Sequence, residues 1–184
     1  MWDADVARLW EWKDQLPRRR RAWYGKLFRG KGKLIAARLL PHFSVAAGTP
    51  WELRAAEILY TRGLLSPAAR KIAGLLVREG PLPTLALRYR CGFADARANA
   101  RFKKAMAELE CRLLVTHFGT QEEEGAAWPS TVYELVPRAF ARLAGRARSL
   151  SAEEARRAIE RAFALLAPQA TPRQVRAFLR PVIG

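Results

Sequence analysis

The sequence predicts a mainly α fold with one small β-hairpin, and two kinds of pattern support this prediction. Apolar residues recur at helical spacing in several segments that proline or glycine separates. One segment, residues 113–118, instead alternates and is rich in strand-forming residues, and residues 131–136 supply a return strand after a turn-rich loop over residues 119–130. Half of the 184 residues are hydrophobic, which is ample for a buried core.

The N-terminal part, residues 1–65, is expected to be a basic helical segment. A first helix capped by Asp3 or Asp5 should end before Pro17, because proline disfavours helix in the residue that precedes it. After a basic loop, residues 34–40 are expected to form a second helix that the next proline stops. Thr49 and the proline after it should start a third helix.

Residues 66–136 give the clearest pattern. Ser66 is followed by proline, a typical helix start, and the apolar stripe that follows ends at Gly80. A short second helix is expected over residues 83–90, with a tight turn at Gly92, and a third helix over residues 95–110. Three helices followed by a hairpin predict a winged helix-turn-helix.

The C-terminal part, residues 137–184, is again expected to be helical and to pack on the winged helix. Residues 137–148 should form one helix. A capping box at Ser151 should start the next helix, and Thr171 with the proline after it the last one. The helix after Ser151 is expected to turn four apolar residues inward, namely Ala155, Ile159, Phe163 and Leu166.

The charge of the chain predicts a polyanionic partner. Lys and Arg number 33 against 17 Asp and Glu, a net charge of +16, and residues 1–50 alone hold 11 of the basic residues and 4 of the acidic ones. Nucleic acid, most simply duplex DNA, therefore comes before an anionic membrane. No stretch approaches the ~18 apolar residues of a membrane span. Two cysteines, Cys91 and Cys111, fit a reducing compartment, so we expect a cytoplasmic, nucleoid-associated protein.

Two groups of residues are predicted to bind nucleic acid. On the third helix of the winged unit three cations share one side at spacings of four and three, and two polar residues flank them: Arg97, Arg101 and Lys104, with Asn99 and Lys103. The second group is the N-terminal basic run: Arg18, Arg19, Arg20, Arg21, Lys26, Arg29, Lys31 and Lys33. The alternative for the helix is a solvated face used in protein contacts. Trp23 and Tyr24 either stack on an exposed base or pack inward.

The loop between the two strands argues against DNA contacts by the wing. Glu122, Glu123 and Glu124 fall where the wing tip would lie, and phosphates would repel them.

Candidates for catalysis are few, and no metal or cofactor is expected. His42 and His117 show no metal-ligand spacing with each other or with the cysteines. Glu11 and Asp14 lie three residues apart on the first helix and could form an acid/base pair. The alternative is a salt bridge to Lys13 or to the arginine run.

Short motifs scattered over most of the chain resemble a known family. The motifs are residues 12–17 (Trp-Lys-Asp-Gln-Leu-Pro), residues 23–27 (Trp-Tyr-Gly-Lys-Leu), Leu34-Ile35 leading to Leu40-Pro41, Gly80-Pro81-Leu82 and residues 170–173 (Ala-Thr-Pro-Arg). Together with the winged helix they are similar to proteins related to the crosslink-repair DNA glycosylase AlkZ (YcaQ). The resemblance implies a body built on winged-helix units that grips DNA.

The resemblance does not extend to the catalytic motif. Active members carry Gln-x-Gln or Gln-x-Asp at the glycosidic bond, whereas the glutamines of this chain stand outside such a motif, at positions 15, 121, 169 and 174. We therefore expect a monomeric, non-catalytic DNA-binding factor linked to repair. The alternatives are a glycosylase that uses another carboxylate, such as Glu11 or Asp14, and a transcriptional regulator, which would normally require a symmetric dimer. Structured RNA stays open as a target.

Overall fold

The computed structural model describes residues 4–28, 31–122 and 128–183. The helices are α1 (Ala4–Arg18), α2 (Leu40–Ala46), α3 (Ala55–Thr61), α4 (Pro67–Glu79), α5 (Thr84–Arg90), α6 (Ala96–Cys111), α7 (Val136–Ala139), α8 (Ala144–Ser149), α9 (Ala152–Leu166) and α10 (Pro172–Ile183). The strands are β1 (Ala22–Phe28), β2 (Lys31–Ala36), β3 (Leu82–Pro83), β4 (Val115–Gln121) and β5 (Ser130–Leu135). The prediction of a mainly α fold with a small hairpin is confirmed.

The predicted hairpin is β4 and β5, which pair antiparallel with Val115 opposite Leu135. A bulge interrupts the register between His117 and Gly119. The two-residue strand β3, which was not predicted, joins the other edge of β5, so the sheet order is β3-β5-β4. Two residues are too few for an alternating pattern, which explains why no periodicity indicated β3.

The three helices between residues 66 and 111 lie where they were expected. The Ser66 hydroxyl accepts a 3.2 Å hydrogen bond from the Ala69 amide at the start of α4, and Gly80 caps its end. Asp95 caps α6 in the same way, accepting from the Ala98 amide at 2.7 Å. Gly92, between α5 and α6, has a φ of 69°, the left-handed conformation that the predicted turn requires.

The expected basic loop and second helix are wrong. Residues 22–36 form the antiparallel hairpin β1–β2, and a 3₁₀ turn at Ala37–Leu39 leads into α2. The hairpin is favoured because it buries Trp23, Leu27 and Ile35 in one core. Pro41 lies in the first turn of α2, where its missing amide hydrogen costs nothing, rather than at the end of a helix.

Helix α1 does not end before Pro17 but continues to Arg18. Proline is accepted in this last turn because amides beyond it still close the helix: Arg19 donates to the Gln15 carbonyl and Arg21 to the Leu16 carbonyl. The proposed cap at Asp3 lies outside the described residues.

Two further helix predictions need correction. The third helix starts at Ala55 rather than at Thr49, whose hydroxyl donates instead to the Arg112 carbonyl at 2.8 Å. The single helix expected over residues 137–148 is broken into α7, a 3₁₀ turn at Ala141–Leu143, and α8. The break occurs at the buried Phe140, whose φ of −121° and ψ of 41° leave the helical region.

Two hydrophobic clusters hold the molecule together. The first is built from α3 to α6 and the β4–β5 sheet. The second joins β1, β2 and α2 to the C-terminal helices and also includes Leu113 and Val136. Helix α7 packs on β4 and β5, whereas α9 packs mainly on α2, and α10 contacts β1 and α2. The division at residues 65 and 136 stays a prediction.

Candidate nucleic-acid interface

Helix α6 buries one side and leaves charged residues on both flanks of the opposite side. Phe102, Ala105, Met106 and Leu109 form the buried stripe. With 3.6 residues in each helical turn, a line of small side chains lies on the side of α6 opposite the buried stripe. One flank of the helix lies on either side of this outward line. That line includes Ala96 and Ala100, both exposed, and the half-buried Ala107.

The first flank carries the three predicted cations, Arg97, Arg101 and Lys104, all exposed, and also Glu108, whose carboxylate accepts a 3.0 Å hydrogen bond from the Ser66 backbone amide. Arg97 and Arg101 line an open hollow of about 720 Å³ beside Gly92, and Arg101 and Lys104 line a second one of about 390 Å³ beside α4. Lys71 of α4 lines the second hollow too. The sequence analysis did not predict Lys71. The signal that could have indicated it is the position of this lysine on the polar side of a helix with one apolar stripe.

The second flank faces a cleft of about 290 Å³ that four elements line together. Asn99 and Lys103 of α6 are joined there by Lys26 of β1 and by Arg88 of α5, and β5 closes the cleft. The two basic regions predicted from the sequence therefore meet at this cleft, through Lys26 and Lys103. Arg88 was not predicted as part of the site.

Glu110 is the acidic residue of this cleft, and only 6% of it is exposed. One carboxylate oxygen accepts a 3.0 Å hydrogen bond from the Lys26 backbone amide, and the other accepts from the Tyr133 hydroxyl at 3.2 Å. Burial raises the pKa of Glu110, although both hydrogen bonds act in the opposite direction. A buried carboxyl group with a raised pKa beside a cleft is a candidate acid or base.

Three further titratable side chains lie near Glu110: Tyr133 of β5, Tyr24 of β1 and His117 of β4. Burial raises the pKa of Tyr133 and that of Tyr24, and nearby carboxylates act in the same direction. The Tyr24 ring lies 6.0 Å from the ring of His117, which is buried. His117 Nε2 lies 2.9 Å from the Gly119 carbonyl oxygen, and burial lowers the pKa of the imidazole.

The two predicted catalytic candidates are not among the residues that line the cleft. Glu11 accepts a 2.6 Å hydrogen bond from the Gln15 amide group on the exposed side of α1. Asp14 Oδ1 lies 3.2 Å from Lys13 Nζ, the ion pair that was considered as the alternative, and 3.9 Å from His117 Nδ1.

The N-terminal basic run is distributed over several surfaces. Arg18, Arg19 and Arg21 are exposed. The guanidinium of Arg20 is held by contacts within the protein. It donates to the Pro17, Arg18 and Phe118 carbonyls, and it lies 3.3 Å from the centre of the Phe118 ring. Lys33 lines a different groove from Lys26. Arg29 and the side chain of Lys31 lie outside the described residues.

Trp23 packs inward, with no exposed surface, so the stacking alternative is wrong for this residue. Glu122 is exposed at the end of β4, and Glu123 and Glu124 lie outside the described residues.

Among the described residues, no group of three histidine, cysteine or acidic side chains could hold a metal ion. Cys91 and Cys111 are both free thiols. The described helices include none that is long and apolar enough to cross a bilayer.

The fold and this surface define the chain as a basic, mainly helical protein with cations on both flanks of the exposed side of one helix. It belongs to the AlkZ-related family, whose family model matches residues 1–180. The resemblance found in the sequence is thus confirmed over nearly the whole chain, and it relates the protein to DNA-repair glycosylases. No curated protein and no solved structure matches the chain.

Proposed function

We propose that residues 66–136 form a winged helix that binds duplex DNA with α6 facing the DNA, and that the protein takes part in DNA repair. The observation that carries the proposal is the double flank of α6, where cations of α6 itself and of three neighbouring elements border the exposed side of the helix. They are Arg97, Arg101, Lys103 and Lys104 of α6, Lys71 of α4, Arg88 of α5 and Lys26 of β1.

The small side chains between the flanks support this orientation. Ala96, Ala100 and Ala107 let the helix backbone come close to base edges, while cations on either side can reach the phosphates of both strands. The exposed Arg18, Arg19 and Arg21 extend the positive surface. Phosphates would repel the acidic side chain of Glu122 at the wing, so the wing stays away from the DNA backbone in this proposal. A monomer in the nucleoid of the cytoplasm fits this proposal.

The proposal is tested on two lysines that are neighbours in sequence but lie on opposite flanks, Lys103 and Lys104. Binding to a labelled duplex is measured by fluorescence anisotropy over a salt series. Lys103→Ala and Lys104→Ala should each weaken binding and reduce the log-log salt slope by about 0.9, the value for one phosphate contact. Arg157→Ala is the control, because Arg157 is exposed on α9 and paired with Glu153.

Three outcomes would contradict DNA binding through α6. They are no affinity for the duplex at low salt, no decline of affinity as salt rises, and an equal loss in Arg157→Ala. Comparing plain, damaged, branched and single-stranded DNA at one salt concentration then gives the preferred structure, since specificity is a ratio of affinities.

A second candidate function is base excision with Glu110 in place of the family's glutamine motif. The specific observation is the buried Glu110 carboxyl group in a cleft that Lys103, Arg88 and Asn99 also line. A protonated Glu110 would donate its proton to the departing base as the bond between the base nitrogen and C1′ of the sugar breaks. The oxygen of a water molecule would bond to C1′, and the proton that this water loses would return to Glu110.

This activity is tested with alkylated duplex DNA followed by an assay for abasic sites. If Glu110 acts as proposed, Glu110→Gln lowers the rate by about 100-fold or more. It should leave affinity for the duplex within about twofold, since the cations are unchanged. Glu11→Gln and Asp14→Asn are the controls and should keep the activity. Absence of abasic sites with the unaltered protein, or full activity of Glu110→Gln, would remove this candidate.

A further inference from the structure

A large apolar groove lies between β2, α2 and α9. Its volume is about 590 Å³. Ile35, Phe43 and Ile159 form its floor and are buried in the second hydrophobic cluster. Leu165 and Leu166 form part of its rim, and these two residues are 85% and 84% exposed. Two neighbouring leucines at this exposure extend an apolar surface that is already concave.

The apolar stripe of α9 continues past the surface that the chain covers. Ala155 and Ile159 are buried and Phe163 is half-buried, as the sequence pattern predicted. Leu166, one helical turn further, was expected to point inward but is exposed, so that prediction is wrong. The pattern of α9 is therefore that of a helix covered along its whole length, whereas in the described residues its packing against the body ends at Phe163.

The charge at the rim indicates what fits the groove. Lys33 and Arg38 line it, and no acidic residue does among those described. A second copy of this chain would bring further positive charge against these cations, since each copy carries a net charge of +16. A bilayer surface is flat and fits a concave groove poorly, whereas the apolar ridge of a helix fits it well.

We infer that this groove binds an amphipathic helix of a partner protein, with leucine-like side chains in the groove and acidic side chains against Lys33 and Arg38. The anchors of such a helix recur at i, i+3 or i+4, and i+7. The interaction is separate from the flanks of α6, since none of the groove's lining residues belongs to that helix. The protein thereby holds a second macromolecule while α6 stays free for nucleic acid.

The experiment uses the whole chain and a synthetic labelled peptide of about 16 residues, or about four helical turns. The peptide places leucines at i, i+3 and i+7 and glutamates beside them, and binding is measured by fluorescence anisotropy. We expect saturable binding that Leu166→Glu weakens about tenfold or more. Leu53→Glu should leave it unchanged, because Leu53 is 42% exposed but lies outside the groove.

A charge reversal separates this site from general attraction to a basic protein. Arg38→Glu should weaken binding of the glutamate peptide about tenfold. In a second peptide lysines replace the glutamates, and the Arg38→Glu variant should bind this peptide more tightly than the unaltered protein does. Circular dichroism of each variant checks that it is folded. Duplex affinity of Leu166→Glu should equal that of the unaltered protein, so failure here leaves the DNA proposal intact.

Four results would overturn the inference. The first is equal binding of a scrambled peptide of the same composition, and the second is equal loss in Leu53→Glu and Leu166→Glu. The third is a dimer in light scattering that Leu166→Glu converts to a monomer, which would assign the groove to self-association. The fourth is binding to anionic vesicles that depends on Leu166 while the peptide does not bind.

Discussion

The indole N–H of Trp23 donates a 2.8 Å hydrogen bond to the backbone carbonyl of Val115, which ties the β1–β2 hairpin to β4 across 92 residues of sequence. Trp23 is fully buried. The same ring explains Gly25 two residues later, because a Cβ atom there would lie 2.5 Å from the indole. This contact fixes the hairpin beside α6 and so positions Lys26 at the cleft.

Replacing Trp23 should separate the two contributions of its side chain. Trp23→Phe leaves the Val115 carbonyl without its donor and should lower the free energy of unfolding by about 1 to 3 kcal/mol. Trp23→Ala also removes the buried ring and should cost about 3 to 5 kcal/mol. Urea denaturation measures both. Trp128→Phe, at an 84% exposed position, should stay within about 0.5 kcal/mol, and an equal loss there would refute the role of burial at Trp23.

Two ion pairs with the same i, i+4 spacing should differ in strength because only one is buried. Arg138 lies 3.1 Å from Glu134, which is 1% exposed, and also donates to the Leu76 and Val77 carbonyls at the end of α4. Arg138→Ala should cost about 2 to 4 kcal/mol in unfolding free energy, because a buried carboxylate loses its cation and two carbonyls lose a donor.

The exposed pair Arg157 and Glu153 is the comparison for that measurement. Arg157→Ala should cost about 0.5 kcal/mol or less, since solvent screens the pair. Similar midpoints for the two variants in urea would show that burial of Glu134 contributes nothing.

Two glycines should respond to alanine with opposite signs. Gly92 has a φ of 69°, and Gly92→Ala should lower stability by about 1 kcal/mol because alanine is strained in that conformation. Gly145 lies in α8, where an added Cβ atom would meet open space, so Gly145→Ala should raise stability by about 0.5 to 1 kcal/mol. Thermal unfolding followed by circular dichroism gives both signs, and a stabilised Gly92→Ala would contradict the turn.

Glu110 should make the protein less stable as pH rises from acid towards neutral. Burial raises the pKa of Glu110 in the folded state above its ordinary value of about 4.3. Between those two pKa values the folded state binds more protons than the unfolded state, so the free energy of unfolding falls with rising pH.

The measurement is urea denaturation at a series of pH values for the unaltered protein and Glu110→Gln. The difference between the two curves isolates Glu110, because other groups contribute equally to both. His117, for example, has a lowered pKa and acts in the opposite direction, favouring stability as pH rises towards its ordinary value. A constant difference across the series would mean that Glu110 does not titrate differently on folding.

Local signals were enough to predict the three helices and the β4–β5 hairpin of residues 66–136. Ser66 and Asp95 cap helices through their own side chains, and Gly92 supplies its turn through its own backbone. Each of these interactions involves residues close in sequence, so the pattern contains the cause. The cationic flank of Arg97 and Arg101 was predictable for the same reason, since helical spacing alone places both on one side.

The hairpin and the cleft depend on contacts that no local pattern contains. Residues 34–40 are a short apolar run, which periodicity alone cannot assign to helix or strand, and the burial of Trp23 against β4 decides the case. Glu110 meets the Lys26 amide across 84 residues and Tyr133 across 23. The sequence therefore predicted the cations of α6 and Lys26, but it did not predict Lys71, Arg88 or the buried carboxyl group of Glu110.

The second hydrophobic cluster makes the beginning of the chain depend on its end. Trp23, Ile35 and Leu40 share that cluster with Ile159 and Leu179, so these N-terminal side chains lack their final neighbours until α9 and α10 have left the ribosome. The first cluster is complete by Leu135, well before that point. Because the chain is made from its N-terminus, the first cluster has all its members before the second does, and the unit around α6 can pack before the N-terminal hairpin acquires its C-terminal neighbours.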